Sequence, residues 1–411
     1  MLESLSKIAL AAGFVGAVAK SALGYYINGP KCDKWTFSFQ VFRDGVAHVI
    51  KASSYSPITD DQIDQLDLAK IAADNKKYDL PETKAPRKLA QVKQSAIKVS
   101  QVVIDEELFA GTGPAEAELR KLTAEDRTDT GATRIIPYEI TALRPMINAA
   151  PTQTEKQTLF ACVPLNPSER IILFLHGGGY KSGTPATHRG LTSRIAAQAG
   201  LRCISIDYRL APLHPYPAQL HDAYISFCYL VQQGFRPENI IIAGDSAGGN
   251  LTLILTLLLR HTGAPPVCGL VLLCPWADLV VRRPSVSYNT DYDLLFAHPL
   301  SSPLDHTRMY YAPGHRLSPE MLKELVHPLV SPINADFSNF PPTLIHAGDK
   351  EVLLDEISQL YKNILSANPS TTHSRYTYEC YPGMIHVFHQ FFSLSESKSA
   401  IAAIGKFIKG L

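Results

Sequence analysis

Paired cysteines, a surplus of one charge and a long apolar run are all missing from this 411-residue chain. Its seven cysteines (Cys32, Cys162, Cys203, Cys228, Cys268, Cys274 and Cys380) are odd in number, widely spaced and never in a Cys-x-x-Cys pair. That excludes zinc-ribbon and thioredoxin-type sites. Cys162, Cys203, Cys268, Cys274 and Cys380 fall in strand-like runs and are expected to act as small core hydrophobes. The single glycosylation sequon, Asn250-Leu251-Thr252, sits in an apolar stretch expected to be buried, so a secreted glycoprotein is not favoured. Lys+Arg total 39 against 38 for Asp+Glu, a net charge of +1. A general nucleic-acid binder needs a clear cationic excess, and none exists. No repeat of solenoid period occurs. A hydrophobic share of 45% excludes disorder along the whole chain.

The most apolar N-terminal run, Ile8 to Ala19, is twelve residues between Lys7 and Lys20. A membrane span needs about twenty. Extension to Tyr26 places Lys20 inside it. Ala17-Val18-Ala19 also resembles a signal-cleavage site. Three readings stay open: a helix packed on the protein or a membrane surface, an anchor, and a cleaved signal. Membrane contact through residues 8–26 is therefore one candidate. The expected compartment is intracellular, cytoplasmic or at the endoplasmic-reticulum membrane, not secreted.

The chain divides into an N-terminal segment with a charged extension (1–130), a first core part (131–284), an insertion (285–335) and a second core part (336–411). In the extension, short helices are expected at 61–73, 88–98 and 115–122. Beyond it, strands are expected at Ile135–Ile140, Thr158–Val163, Ile171–Leu175, Cys203–Ile206, Ile240–Ala243, Leu270–Cys274, Thr343–Ala347 and Arg375–Tyr381. Helix-length segments at 190–199, 217–233, 249–260 and 352–366 alternate with them. Unbroken apolar strands separated by helices predict a mostly parallel sheet covered on both faces. The connection from Cys274 to Thr343 is too long for a plain loop and reads as an inserted cap.

Gly244-Asp245-Ser246-Ala247-Gly248-Gly249 follows one such strand and precedes an apolar helix. This is the context of a Gly-x-Ser-x-Gly nucleophile elbow, with Ser246 as nucleophile. His176-Gly177-Gly178-Gly179-Tyr180 follows another strand. Its glycines allow backbone amides to converge on an oxyanion, and we expect donors at Gly177, Gly178 and Ala247. No phosphate-loop Lys-Ser/Thr follows it. The nucleophile needs a base and an orienting acid, in chain order serine, acid, histidine. His386 after the last strand is the expected base. His389 is expected to pack or be solvated on the succeeding helix. A zinc pair of the two lacks a third ligand, so no metal and no cofactor is expected. For the acid, Glu351, Asp349 and Asp355 compete, with Glu351 preferred and Asp349 its main alternative.

Four segments together resemble the hormone-sensitive-lipase family of α/β-hydrolases: His176 to Tyr180 with Gly183 and Thr187-His188-Arg189, Asp207-Tyr208-Arg209-Leu210-Ala211-Pro212, Gly244 to Gly249, and Gly383-Met384-Ile385-His386. Glu351-Val352-Leu353-Leu354-Asp355 fits the family's acid spacing in the branch that uses Glu. Leu213 stands where the family has a Glu. The resemblance implies an α/β-hydrolase fold with an eight-stranded, mostly parallel sheet, helices on both faces and a cap built from the N-terminal region and 285–335. Supporting roles are implied for His176, Gly179, Tyr180, Asp245 and Tyr208. Ser287-Tyr288-Asn289 and Asp291 to Leu294 resemble the cap pattern. Gly24-Tyr25-Tyr26 through Gly29-Pro30 and Trp35 are similar to fungal members, some membrane-tethered and acting on acetylated sterols. The implied activity is hydrolysis of small carboxylic esters of short or acetyl acyl groups. Amide deacetylation is the nearest alternative. A ligand-binding receptor on the same scaffold is another, disfavoured because His386 is present. Two Ser-x-x-Lys strings, at Ser95 and Ser395, lack companion motifs. Oligomeric state is left open.

Overall fold

The computed structural model describes residues 2–53, 67–77, 81–99, 134–280, 283–295, 307, 310–313, 318–369 and 375–411. Eight strands form one sheet: β1 (Ala90–Lys98), β2 (Ile135–Leu143), β3 (Ile171–Leu175), β4 (Arg202–Ile206), β5 (Ile240–Asp245), β6 (Gly269–Leu273), β7 (Thr343–Gly348) and β8 (Tyr376–Tyr381). Their spatial order is β1-β2-β4-β3-β5-β6-β7-β8. β1–β2 and β2–β4 pair antiparallel; every other neighbour pair is parallel. Central strands such as Ile-Ile-Leu-Phe-Leu of β3 are buried throughout because helices cover both faces. Ile171, Leu173 and Leu175 join one apolar cluster with Ile254 and Ile357 from the helices Ala247–His261 and Leu354–Ala367. Ile172 and Phe174 join the other with Ile195 and Ile404 from the helices Pro185–Ala199 and Ser395–Gly410.

The predicted helix at 88–98 is instead strand β1, paired with β2 over all nine residues from Ala90–Leu143 to Lys98–Ile135. Gln, Lys and Ala there favour a helix weakly, but sheet pairing overrides propensity. The sheet therefore begins at residue 90, inside the segment expected to be a peripheral extension. The predicted strand Thr158–Val163 is absent. Gln153–Thr158 is a helix, started by a Thr152–Glu155 capping box. The carbonyls that follow bond to Arg202, whose guanidinium donates to Leu159 O at 3.1 Å, Ala161 O at 2.8 Å and Val163 O at 2.7 Å. Arg202 is fully buried and also pairs with Glu169 at 2.8 Å. Arg202→Met would leave that carboxylate and three carbonyls without their donor. We expect it to destabilise the fold by about 3–5 kcal/mol, read by chemical denaturation. The helix expected at 61–73 is described over Leu68–Lys77, its predicted start lying outside the described residues, as does 115–122. Cys162, Cys203 and Cys274 are buried free thiols, but Cys380 on β8 is exposed, a departure from the core role expected for it. Asn250 of the sequon is fully buried.

At the N-terminus the helices Leu2–Asn28 and Phe37–Ser53 pack together. Asp44 holds the pair, accepting from Ser21 Oγ at 2.7 Å and Lys31 Nζ at 2.9 Å. No helix among the described residues is long and apolar enough to cross a membrane. The first helix leaves Val15, Leu23, Tyr26 and Ile27 exposed. The connection and second helix sit on the loop after β8. Trp35 Nε1 donates to Gly383 O at 2.5 Å, and Trp35, Phe39 and Ile385 form one buried cluster.

Candidate active site

The carboxyl ends of β3, β5, β6, β7 and β8 supply the site. β5 ends in Asp245, and Ser246 follows with φ +54° and ψ −120° before the helix Ala247–His261 begins. Few non-glycine residues take a positive φ, and such a turn stores strain. It persists because the backbone is fixed on both sides: Ser246 N–H donates to Leu273 O at 2.9 Å, and Ser246 O accepts from Trp276 N–H at 3.0 Å. Gly248 is required by close approach, since a Cβ there would lie 2.0 Å from Leu175 O. Ser246 is only 9% exposed.

The loop after β3 faces this turn. Gly178 takes φ +123°, and a Cβ on it would lie 2.1 Å from Ser182 O. The N–H groups of Gly178, Gly179 and Ala247 have no acceptor among the described residues. The Gly177 N–H differs from the expectation that it is a free donor: it donates to Asp245 Oδ1 at 2.9 Å. That amide is spent on holding the loop against the elbow. Asp245 Oδ2 also lies 3.3 Å from His188 Nε2. Burial would push the Asp245 carboxyl up, but His188 and the Gly177 amide hold it below the usual range. His176 stacks on Tyr208 with ring centroids 4.2 Å apart, and the Tyr208 hydroxyl donates to His176 O at 2.5 Å. Complete burial pulls the His176 imidazole down to about 3, so it is neutral. Tyr180 stacks on Tyr310 at 3.9 Å and donates to Asn250 Oδ1 at 2.5 Å.

His386 follows β8, and Glu351 follows β7. His386 Nδ1 lies 3.5 Å from Glu351 Oε2, and Glu351 is fully buried. This is a long contact of the kind that tightens when substrate binds. The His386 loop reaches the nucleophile turn over the end of β6, where Val387 N–H donates to Cys274 Sγ at 3.4 Å. Burial pushes His386 down, but Glu351 first, then Asp293 and Asp245, leave it raised above its ordinary value. Burial pushes Glu351 up, and the attraction of His386 only partly offsets this. The other two acids point elsewhere. Asp349 accepts from Gly383 N–H at 2.6 Å, and Asp355 accepts from Ser285 N–H at 2.8 Å. His389 is buried in a short 3-10 turn, not solvated, with Nε2 3.1 Å from His346 Nδ1. Leu213 is exposed.

A thiol joins the acid and the base. Cys274 Sγ, a Glu351 oxygen and a His386 ring nitrogen lie within 4.8 Å of one another. Such a donor set could take a soft cation. Burial and the neighbouring Glu351 push the Cys274 thiol well up, which favours a neutral S–H against the carboxylate. Its position directly after a strand carries no sequence signal beyond that of a core thiol.

A sequence profile described as the alpha/beta hydrolase fold matches residues 172–390. The chain belongs to the α/β-hydrolase family. Among the similar relatives of this hydrolase are an acetyl-hydrolase of Streptomyces hygroscopicus, 33% identical over 60% of this chain and 77% of that one, and an esterase of Acinetobacter venetianus, 32% identical over 59% and 75%. Solved structures similar to it include EstE5 soaked with ethyl alcohol, at 26% identity and TM-score 0.61 over 89% of this chain and 96% of that one. A bacterial hormone-sensitive lipase family esterase matches at 25% identity and TM-score 0.59, over 89% and 97%.

Proposed function

We propose that this hydrolase is a serine carboxylesterase that acts on short-chain or acetyl esters of an apolar alcohol. Ser246 Oγ attacks the ester carbonyl, and His386 Nε2 takes its proton. Glu351 holds the proton on Nδ1, which keeps Nε2 free as the base. The oxyanion receives the N–H groups of Gly178, Gly179 and Ala247. His386 then gives its proton to the departing alcohol. Water enters, again with His386 as base, and attacks the acyl-enzyme carbonyl; Ser246 leaves with the proton and the acid is released.

The observation that carries this reading is the pairing of a serine in a positive-φ elbow with three unspent amides beside it. Asp245, His176, Tyr208 and Tyr180 take supporting roles, holding the amide loop and the elbow in place. The relatives named acetyl-hydrolase and esterase support the substrate class. The N-terminal helices and the described residues of the insertion would form part of a cover over the site, since Trp35 bonds the loop after β8, Asn289 bonds Glu351 O and Arg43 bonds Asp291 O. Contact of the exposed apolar residues Val15, Leu23, Tyr26 and Ile27 with a lipid surface would suit apolar esters. The test is a panel of p-nitrophenyl esters from acetate to palmitate with an anilide of the same acyl groups. We expect kcat/KM to be highest at two to four carbons and the anilide to be poor. Faster anilide than ester cleavage would overturn the assignment in favour of amide deacetylation.

A further inference from the structure

Asp293 is a fully buried carboxylate in the insertion, four residues beyond Asn289. Among the described residues no lysine or arginine side chain pairs with it. Instead it accepts three backbone N–H groups. Oδ1 receives Leu294 at 2.7 Å and His386 at 3.0 Å, and Oδ2 receives Val352 at 2.7 Å. Val352 adjoins Glu351. One side chain thus bridges the loop that bears the acid and the loop that bears the base. Burial pushes the Asp293 carboxyl above its ordinary value, and the nearby His386 and the three N–H donors only partly offset this. Nearby links run the same way. Asn289 Nδ2 donates to Glu351 O at 2.8 Å, and Ser285 Oγ donates to Val352 O at 2.7 Å. From the second helix, Phe37–Ser53, buried Arg43 donates to the carbonyls of Asp291 at 2.8 Å and Asp293 at 2.7 Å.

We propose that Asp293 is a positioning residue for ester hydrolysis, fixing the spacing of Glu351 and His386, and that Arg43 makes the helix Phe37–Ser53 part of that fixture. The proposal rests on the assignment of Ser246, His386 and Glu351 given above. A purely structural anchor would alter stability alone. Asp293 does more, because its charge also faces the His386 ring. The other titratable groups around that ring are Glu351 after β7, Asp245 at the elbow, the neutral Cys274 thiol after β6 and buried His389 on the ring's own loop. Asn at 293 removes the charge and turns an N–H₂ toward an N–H.

The experiment compares wild type, Asp293→Asn, Asp293→Glu and Arg43→Met as full-length chains on p-nitrophenyl acetate, with kcat/KM followed against pH. Misplacement of a reacting group by about 1 Å costs on the order of 100-fold, so we expect kcat of Asp293→Asn to fall about 10- to 100-fold with KM little changed. Its acid limb moves to lower pH, because a negative neighbour of His386 is gone. Asp293→Glu keeps the charge, so kcat falls and the limb stays. A wild-type kcat and an unmoved limb in Asp293→Asn overturn the proposal. Circular dichroism reports folding. If the Asn variant does not fold, Arg43→Met decides: a several-fold lower kcat in the folded variant, read by circular dichroism, with the acid limb unmoved supports the fixture, and an unchanged kcat overturns it. Ser246→Ala run alongside tests the underlying assignment separately. Activity in that variant removes the triad reading, whereas an inactive Ser246→Ala with a fully active Asp293→Asn removes only this inference.

Discussion

Ser246→Ala is expected to lower kcat on p-nitrophenyl acetate by about 10⁴-fold or more, because it removes the nucleophile of the proposed triad and the Cys274 thiol beside His386 is held neutral by burial and Glu351. Fluorophosphonate labelling should vanish with it. The change deletes one oxygen and leaves the turn's backbone bonds to Leu273 and from Trp276 untouched. The melting transition should therefore stay where it is. Ser246→Gly separates strain from chemistry. It is equally inactive, but it relieves a positive-φ conformation worth about 1–3 kcal/mol. The added chain entropy of glycine takes back roughly 0.5–1 kcal/mol. Relief of strain outweighs that loss, so Ser246→Gly should melt above both the wild type and the alanine variant. Retained activity in Ser246→Ala would sink the nucleophile assignment. A glycine variant less stable than alanine would show that the turn is not strained.

The chemistry-bearing turns were legible because each rests on local rules. A strand followed by Gly-x-Ser-x-Gly can place Ser246 in only a few ways, and glycines at 178 and 248 mark backbone approaches that no side chain tolerates. The parallel centre of the sheet was equally legible from β3, β5 and β6, whose residues are apolar on both faces. What escaped depends on distant partners. β1 has a helix-forming composition and becomes a strand only because β2 lies beside it. Residues 159–163 read as a strand, yet their carbonyls are taken by Arg202 from β4, about forty residues on. The Gly177 amide looked free because nothing in a glycine run says that the residue before the nucleophile will claim it. Asp293 fell in a recognised pattern, but its hold on two loops spans 59 and 93 residues. Sequence spacing carries no trace of such a contact.

The acid is where sequence left alternatives, and the geometry separates them by what each carboxylate touches. Glu351 faces His386 Nδ1 at 3.5 Å, whereas Asp349 is spent on the Gly383 amide. Glu351→Gln should therefore lower kcat by about 10³–10⁴-fold, since an amide there can stabilise the wrong imidazole tautomer and cannot balance an imidazolium. Asp349→Asn keeps an oxygen to accept the Gly383 N–H and should cost only a few-fold. The pH profile gives a second, independent reading. Burial depresses His386, and Glu351 is the largest influence lifting it back above its ordinary value. The base works only when unprotonated, so wild-type kcat/KM should fall on the acid side at a pH above the ordinary histidine value of about 6.5. Removing the Glu351 charge lowers the His386 pKa, so the residual activity of Glu351→Gln should have its acid limb displaced to lower pH. Asp349→Asn should leave that limb in place, because Asp349 is not among the groups that shift His386. The assignment would be reversed if Asp349→Asn showed the larger loss of kcat together with the displaced limb. A loss in Glu351→Gln without displacement would mean that Glu351 supports the loop and not the ring.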